Sequence, residues 1–381
     1  MRNGYIILML SFLFISCNNT GNQTDKQRDR QERSSDNEYA KYFGIEQKEG
    51  YTIVTINETW SGNNNVSHLV LIEKGMETPS VLPANAEVIH VPLEKVVCMS
   101  TSHLPYLTLL DQREALSAVS GARYISDSII KSMVKKGEVQ DIGYEASLNY
   151  EMLIRINPDL VFTYGISGEN NQYIDKIRAA GVRVVVVGDY MEEHPLGKLE
   201  YLKFFGAFFV KGKIAGEMYE QIKGRYIEAS QRTAGVAEKP VVLLNAPWKD
   251  VWYIPGDNNY MSHLIKDAGG VVLLGRKGDA HSYAHSLENV VSQAYKSDFW
   301  LNPNFYSSLE ELGRSNPLFA NLPVFGKGKV YNNTKRDTPG GGSDFWERGA
   351  VEPDVILNDL INILHPTLGN KKELVYYKLL E

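Results

Sequence analysis

Residues 140–165 read QDIGYEASLNYEMLIRINPDLVFTYG and form a loop–helix–strand unit that decides the fold. Ser147 or Asn149 offers a side-chain oxygen to the orphan N–H groups of a helix start. Glu151 falls in the first turn, where the helix dipole favours negative charge. Met152, Leu153 and Ile156 supply an apolar face. Asn157-Pro158 stops the helix, because the residue before proline is pushed out of the helical region. Leu160-Val161-Phe162 is a short apolar run of the kind found in buried parallel strands. Tyr164-Gly165 ends it, where a parallel strand delivers side chains to a cleft. The unit thus presents a carboxylate at a helix start and an aromatic at a strand end.

Outward from this unit, strands and helices alternate, the signature of an α/β layer fold. Val96–Ser100 reads as a strand, Thr101 to about Asp111 as a helix, and Leu116–Ser120 as a second strand. After the unit, 171–180 is helical, Gly181 caps it and Val182–Val187 is a strand. Residues 195–232 are helical with a notch at Lys211-Gly212. Ile214, Met218, Ile222 and Tyr226 form a stripe at four-residue spacing. The 20 residues from Lys213 to Arg232 span about 30 Å, enough for a stiff strut between two lobes. A second lobe begins at Val241–Leu244 and closes with a helix over Val351–Leu364. Tyr150-Glu151 to Asp159 and Leu287-Glu288 to Asp298 echo each other: a helix start with Glu, then Asp before a strand. The boundaries read from this are a β-rich extension at 39–92, an N-terminal lobe at 93–194, linker helices at 195–235, a C-terminal lobe at 236–366 and a tail at 367–381.

The 381 residues suit two domains of about 150 residues each. A net charge of −6 argues against nucleic-acid binding, which wants a basic face. The 22 tyrosines and 5 tryptophans suit a half-wet ligand or partner face. At the N-terminus, Arg2 precedes an apolar run too short for a membrane span, then Ser16-Cys17: a signal peptide. Phe14-Ile-Ser-Cys17 resembles the lipobox of bacterial lipoproteins, with Phe14 where Leu is commoner. The resemblance implies that Cys17 is lipidated and anchors the protein in the cell envelope; an ordinary signal peptide with a chance Cys is the alternative. Residues 18–38 are polar and charged and read as a disordered tether. Cys98, in an apolar run, leaves no intrachain disulfide and reads as core.

From Leu93 to Pro366 the chain resembles the periplasmic substrate-binding proteins of ABC importers for iron complexes, haem and cobalamin. The matching pieces come in order: PLEKVVCMSTSHLPYLTLL, DIGYEASLNYEMLIRINPDLVFTYG, AAGVRVVVV, LEYLKFFGAFFVKGKIAGEMY, HSLENVV and LPVFGKGKVYNN. The extension at 39–92 and the closing FWERGAVEPDVILNDLINILHP depart from the better-known members. The resemblance implies two Rossmann-like α/β lobes joined by a single long interdomain helix, the class III periplasmic binding protein fold. It implies a cleft between the lobes, small closure on binding, no enzymatic chemistry and no cofactor. The expected partners are a metal–organic small molecule and an ABC permease dimer in the inner membrane, with the receptor a monomer anchored as a periplasmic lipoprotein. The resemblance also implies that Glu151 and Glu288, one per lobe, pair with permease arginines; an exposed Glu in a first helical turn can accept a bidentate Arg. The plain alternative is a helix-start charge.

Strand ends and the loops after them face such a cleft. In the first lobe these are Ser100, Thr101, His103, Glu145 and Tyr164. In the second they are Trp248, Trp252, Tyr253, Tyr260, His281, Tyr283 and His285, with Arg336, Asp344 and Trp346 from late loops. Aromatic faces suit a flat macrocycle, and Arg336 would suit an anionic chelate. The ligand stays open between ferric siderophore, haem and cobalamin. His281-x-x-x-His285 lacks the Glu of a zinc-protease helix, and a dedicated zinc receptor wants more converging ligands. Gly340-Gly341-Gly342-Ser343 lacks the phosphate-loop pattern. No nucleophile elbow or cluster-binding Cys set is present. An exported metal-dependent enzyme is the alternative of another class.

Overall fold

The computed structural model describes residues 37–58, 65–144, 147–165, 170–370 and 372–381. Cys17, the signal peptide, most of the tether and Glu145 lie outside them. The 39–92 stretch, expected to be β-rich, is a four-stranded sheet: β1 Phe43–Lys48, β2 Tyr51–Glu58, β3 Asn65–Glu73 and β4 Glu87–Val91, in that spatial order. The first three strands are antiparallel, and β4 returns parallel to β3. Alternation along the strands splits their apolar residues between two faces. Phe43, Val54, Ile56, Leu69, Leu71 and Ile89 join the main core, while Ile53, Val70 and Ile72 make a small outer cluster.

The N-terminal lobe holds β5 Val96–Cys98, α1 Leu104–Leu109, β6 Leu116–Val119, α2 Ser128–Lys136, β7 Gln140–Asp141, α3 Tyr150–Ile156, β8 Leu160–Thr163, α4 Asn170–Ala179 and β9 Val184–Val186. Its sheet runs β7-β6-β5-β8-β9, all parallel. Strands β5, β8 and β9 are buried throughout and apolar but for Thr163, as a parallel sheet covered on both faces requires. Asn149 caps α3 by accepting from the Met152 N–H at 2.9 Å. Asn157 ends α3 in the left-handed region, at φ 49°.

The linker consists of α5 Pro195–Phe208 and α6 Gly212–Gln231, broken at the predicted notch. Gly206 lets them pack: a side chain there would come within 2.6 Å of the Ala215 methyl. Phe204, Phe205 and Phe208 of α5 surround Phe162 of β8, with ring centres 6.5, 4.8 and 5.2 Å away. Burying rings of this size contributes about 2–3 kcal/mol each, so the linker is welded to the N-terminal lobe.

The C-terminal lobe holds β10 Val241–Leu244, a two-stranded antiparallel sheet of β11 Val251–Pro255 and β13 Ser282–Ser286, α7 Tyr260–Asp267, β12 Val271–Val272, α8 Leu287–Ala294, β14 Phe299–Leu301, three short helices (α9 Leu309–Ser315, α10 Pro317–Ala320, α11 Pro323–Gly326), β15 Val330–Asn332 and α12 Pro353–Leu364. Its sheet runs β12-β10-β14-β15-β16. The last strand, β16 Lys378–Leu379, pairs antiparallel with β15 and belongs to the segment set apart as a tail. Tyr376, Tyr377 and Leu380 are buried, and Asp359 of α12 accepts N–H groups from Val375, Tyr376 and Tyr377. The tail is therefore part of the lobe.

The echo between the lobes has a structural content. Asp159 Oδ2 accepts from the N–H groups of Glu94 and Lys95 at 2.8 and 2.9 Å, beside the start of β5. Asp298 Oδ2 accepts from the Val241 N–H at 2.8 Å, at the start of β10. In each lobe an Asp before one central strand ties down the beginning of its neighbour.

Candidate functional site

The start of α5 lies between the lobes, with Lys198 beside both Asp189 of the first and Tyr260 of the second. On the N-terminal side, Ser100 follows β5, and its Oγ accepts from the Ser102 N–H at 3.3 Å, opening a tight turn over Thr101–His103. Ser100, Thr101 and Tyr164 are half-buried at the strand ends. Tyr164 is held from behind, since the Tyr173 hydroxyl donates to its carbonyl at 2.9 Å.

His103 corrects a sequence expectation: it is fully buried and cannot line an open cleft. Its Nε2 lies 3.8 Å from Asp189 Oδ1, and Lys198 Nζ of α5 lies 3.5 Å from Asp189 Oδ2. Burial pushes the Asp189 carboxyl up, but Lys198, then His103 and Ser102, pull it down to about 2. The floor thus contains a buried carboxylate with its cation. Neither Asp189 nor Lys198 was picked out from the sequence; a charged Gly-Asp-Tyr after an apolar strand was the available signal.

On the C-terminal side three loops lie side by side. Asn245, after β10, donates through Nδ2 to the Tyr253 carbonyl at 3.2 Å. Asn304, after β14, donates to the Ala246 carbonyl at 2.9 Å. Asn332, at the end of β15, donates to the Asn304 carbonyl at 2.8 Å. This amide lacing presents Trp248, Tyr253 and Phe305 with 65%, 49% and 90% of their surface exposed. Phe305 was missed; like Trp248, it follows a buried strand by a few residues. Tyr260 opens α7, half-buried, with its ring centre 5.9 Å from Lys198 Nζ and 6.0 Å from the ring of the exposed Trp346.

Three expected ligand contacts are differently employed. Trp252 is core: its indole donates to the Leu244 carbonyl at 2.9 Å and its ring packs 5.7 Å from Trp300. Successive strand residues face opposite ways, so exposing Tyr253 buries Trp252. Arg336 spends its charge on Asp344, at 2.7 Å. Tyr283 donates to Asp279 beneath the Arg276 guanidinium, 3.5 Å from the ring centre. His285 lies on β13 and His281 just before it, so the pair is not on a helix, and His281 Nδ1 sits 2.8 Å from Asp279. Among the described residues no group of three or more His, Cys, Asp or Glu is arranged to hold a metal ion.

A late C-terminal-lobe loop crosses to the first lobe. Glu347, buried, accepts from the N–H groups of Ser126 and Asp127 at 2.7 and 2.8 Å, just before α2. Gly340 and Gly342 allow this approach, because a side chain would meet the carbonyls of Arg123 and Tyr124 at 2.1 and 1.7 Å. Burial pushes the Glu347 carboxyl up to about 7 against those two hydrogen bonds. Glu151 and Glu288 stand exposed in the first turns of α3 and α8, behind the caps Asn149 and Ser286.

Residues 96–336 match a family model described as periplasmic binding protein. The chain belongs to the periplasmic binding protein family. Its members are solute binders without catalysis, served by ABC permeases. The matched region covers the N-terminal lobe's sheet, the linker and β10–β15, leaving the β1–β4 extension, α12 and β16 outside. Among curated relatives, an uncharacterised lipoprotein of Methanocaldococcus jannaschii is 25% identical over 294 residues, covering 74% of this chain and 67% of its own. Of solved structures, a triscatecholate siderophore binding protein from Bacillus subtilis, complexed with ferri-bacillibactin, has TM-score 0.54 and 17% identity, covering 73% of this chain and 94% of that one. A periplasmic heme binding protein from Pseudomonas aeruginosa has TM-score 0.54 and 17% identity, covering 75% and 97%. At these identities the likeness is one of fold: class III, two lobes with parallel sheets.

Proposed function

We infer that this chain is the substrate-binding lipoprotein of an ABC importer that captures an iron complex, a siderophore chelate or haem, between its lobes. The observation that carries the reading is the row of exposed aromatic faces, Trp248, Tyr253 and Phe305, on loops laced together at the strand ends of the C-terminal lobe. Exposed rings are costly in water and suit a ligand with flat conjugated faces. Solved proteins of the same fold include binders of a siderophore and of heme. The lipid anchor at Cys17 rests on the Phe14–Cys17 motif and on relatives named as lipoproteins. Docking to the permease through Glu151 and Glu288 rests on their matching, exposed helix-start positions.

Cobalamin is the second reading, and one observation favours it. Two cations that could meet an anionic ligand, Lys198 and Arg336, are already matched by Asp189 and Asp344. An anionic chelate gains little from paired charges, whereas an uncharged corrinoid needs none. Tryptophan-fluorescence titration with a ferric tris-catecholate, haemin and cyanocobalamin separates the readings. Saturable quenching by one of them, without turnover, supports the receptor; no response to any of the three contradicts it.

A further inference from the structure

The first described residues of the chain are fastened to the hinge. Five consecutive backbone N–H groups, Glu38 to Tyr42, point at two buried carboxylates. Glu200 of α5 accepts from Glu38, Tyr39 and Ala40 at 2.9, 2.8 and 2.6 Å. Glu192, just before α5, accepts from Lys41 and Tyr42 at 3.0 and 3.2 Å. Lys223 of α6 adds an ion pair with Glu38 at 2.9 Å. Gly197 makes room, since a side chain would lie 3.2 Å from the Tyr39 carbonyl. The next residue, Phe43, packs its ring 4.6 Å from Tyr201 and 5.4 Å from Phe204.

Two linker residues bound on one side by this strap are bound on the other by the C-terminal lobe. Glu193 Oε2 pairs with Lys41 and also accepts from Asn258 Nδ2 at 2.7 Å. The His194 ring stacks 4.4 Å from Tyr39 and lies 4.8 Å from His263 of α7. His263 in turn contacts Asn258 Oδ1 at 2.9 Å. Glu193 and His194 sit between the end of β9 and the start of α5, where the chain leaves the first lobe.

We propose that residues 37–42 are a hinge clamp: they hold residues 192–194 against the start of α7 in the C-terminal lobe, at Asn258 and His263, and so set the angle between the lobes. A strap that only closed off the core would need Phe43 and the β-sheet; it would not need contacts that pass through Glu193 and His194 to the other lobe. The clamp regulates the cleft assigned above, but it is read from lobe geometry without ligand, so it stands or falls apart from the receptor reading.

The test uses the full chain with Cys17→Ser, Ile154→Cys and Tyr295→Cys, spin-labelled at the two exposed positions, one on each lobe. Cys98 is buried and stays unlabelled. One variant adds Tyr39→Ala and Lys41→Ala; a second adds Glu192→Gln and Glu200→Gln. Amide exchange at 38–42 is expected to rise at least 10-fold in each variant, and the interlobe distance distribution to widen at least twofold. A released strap with an unchanged distribution would overturn the proposal. So would amides that exchange no faster in either variant.

Discussion

The ammonium of Lys198 lies 5.9 Å from the ring centre of Tyr260, so a linker cation and an aromatic of the C-terminal lobe meet at the floor of the cleft. The same ammonium neutralises Asp189 at 3.5 Å. Removing one partner of a buried pair strands the other, which costs about 3–5 kcal/mol. Lys198→Met is therefore expected to destabilise the fold by about that amount, and Lys198→Met with Asp189→Leu to recover most of it. Urea denaturation of the three variants measures this as a double-mutant cycle.

Neighbouring residues of β11 are expected to behave oppositely. Trp252→Ala opens a cavity against Trp300 and Phe319 and should cost about 3–5 kcal/mol. Tyr253→Ala and Phe305→Ala remove exposed rings and should change stability by no more than about 0.5 kcal/mol. The same two changes should each weaken ligand binding about tenfold, a loss of about 1.4 kcal/mol. Thermal melts and fluorescence titration on one preparation distinguish the two kinds of effect.

Two carboxyls give the stability a pH slope. Burial pushes Glu192 up to about 8 and Glu347 up to about 7, against the backbone N–H groups that each accepts. Both values exceed the unfolded value of about 4.3, so the folded state binds these protons more tightly. Their contribution is full below that unfolded value and is lost as pH rises through 7 to 8. The denaturation midpoint is expected to fall between pH 5 and pH 8, and to fall less with Glu192→Gln and Glu347→Gln together. An equal decline in that variant would place the slope elsewhere.

Glu151 and Glu288 should matter only to delivery. Glu151→Arg with Glu288→Arg is expected to abolish uptake in cells while ligand affinity stays within about twofold, because both side chains are exposed on helix starts. Parallel loss of affinity would put them in the ligand site instead.

Much of the architecture was legible in residue order. Leu160–Thr163 reads as buried parallel strand because every side chain in it is apolar or small, and all four are buried. Glu151 and Glu288 are legible as first-turn charges because caps and helix starts are local. Trp252 and Tyr253 are neighbours on β11, so the two-residue alternation of the strand cannot expose both: it buries Trp252 and exposes Tyr253. What stayed hidden depends on partners far along the chain. Glu347 accepts from residues about 220 positions earlier, and Glu200 from residues about 160 earlier. Nothing near either glutamate distinguishes it from a surface charge. The tail was hidden for the same reason: Lys378 and Leu379 become a strand only beside Tyr331 and Asn332.

Native mass spectrometry of the protein purified from its own host tests the central claim most directly, by weighing what the cleft carries. The expected result is one bound species with the mass of a metal–organic complex: a ferric siderophore or haem, or a corrinoid if the paired cations decide. Tyr253→Ala and Phe305→Ala together should remove it. A protein that emerges empty and binds none of these complexes on reconstitution, or a retained mass indifferent to both aromatics, would contradict the assignment of this cleft as the receptor site.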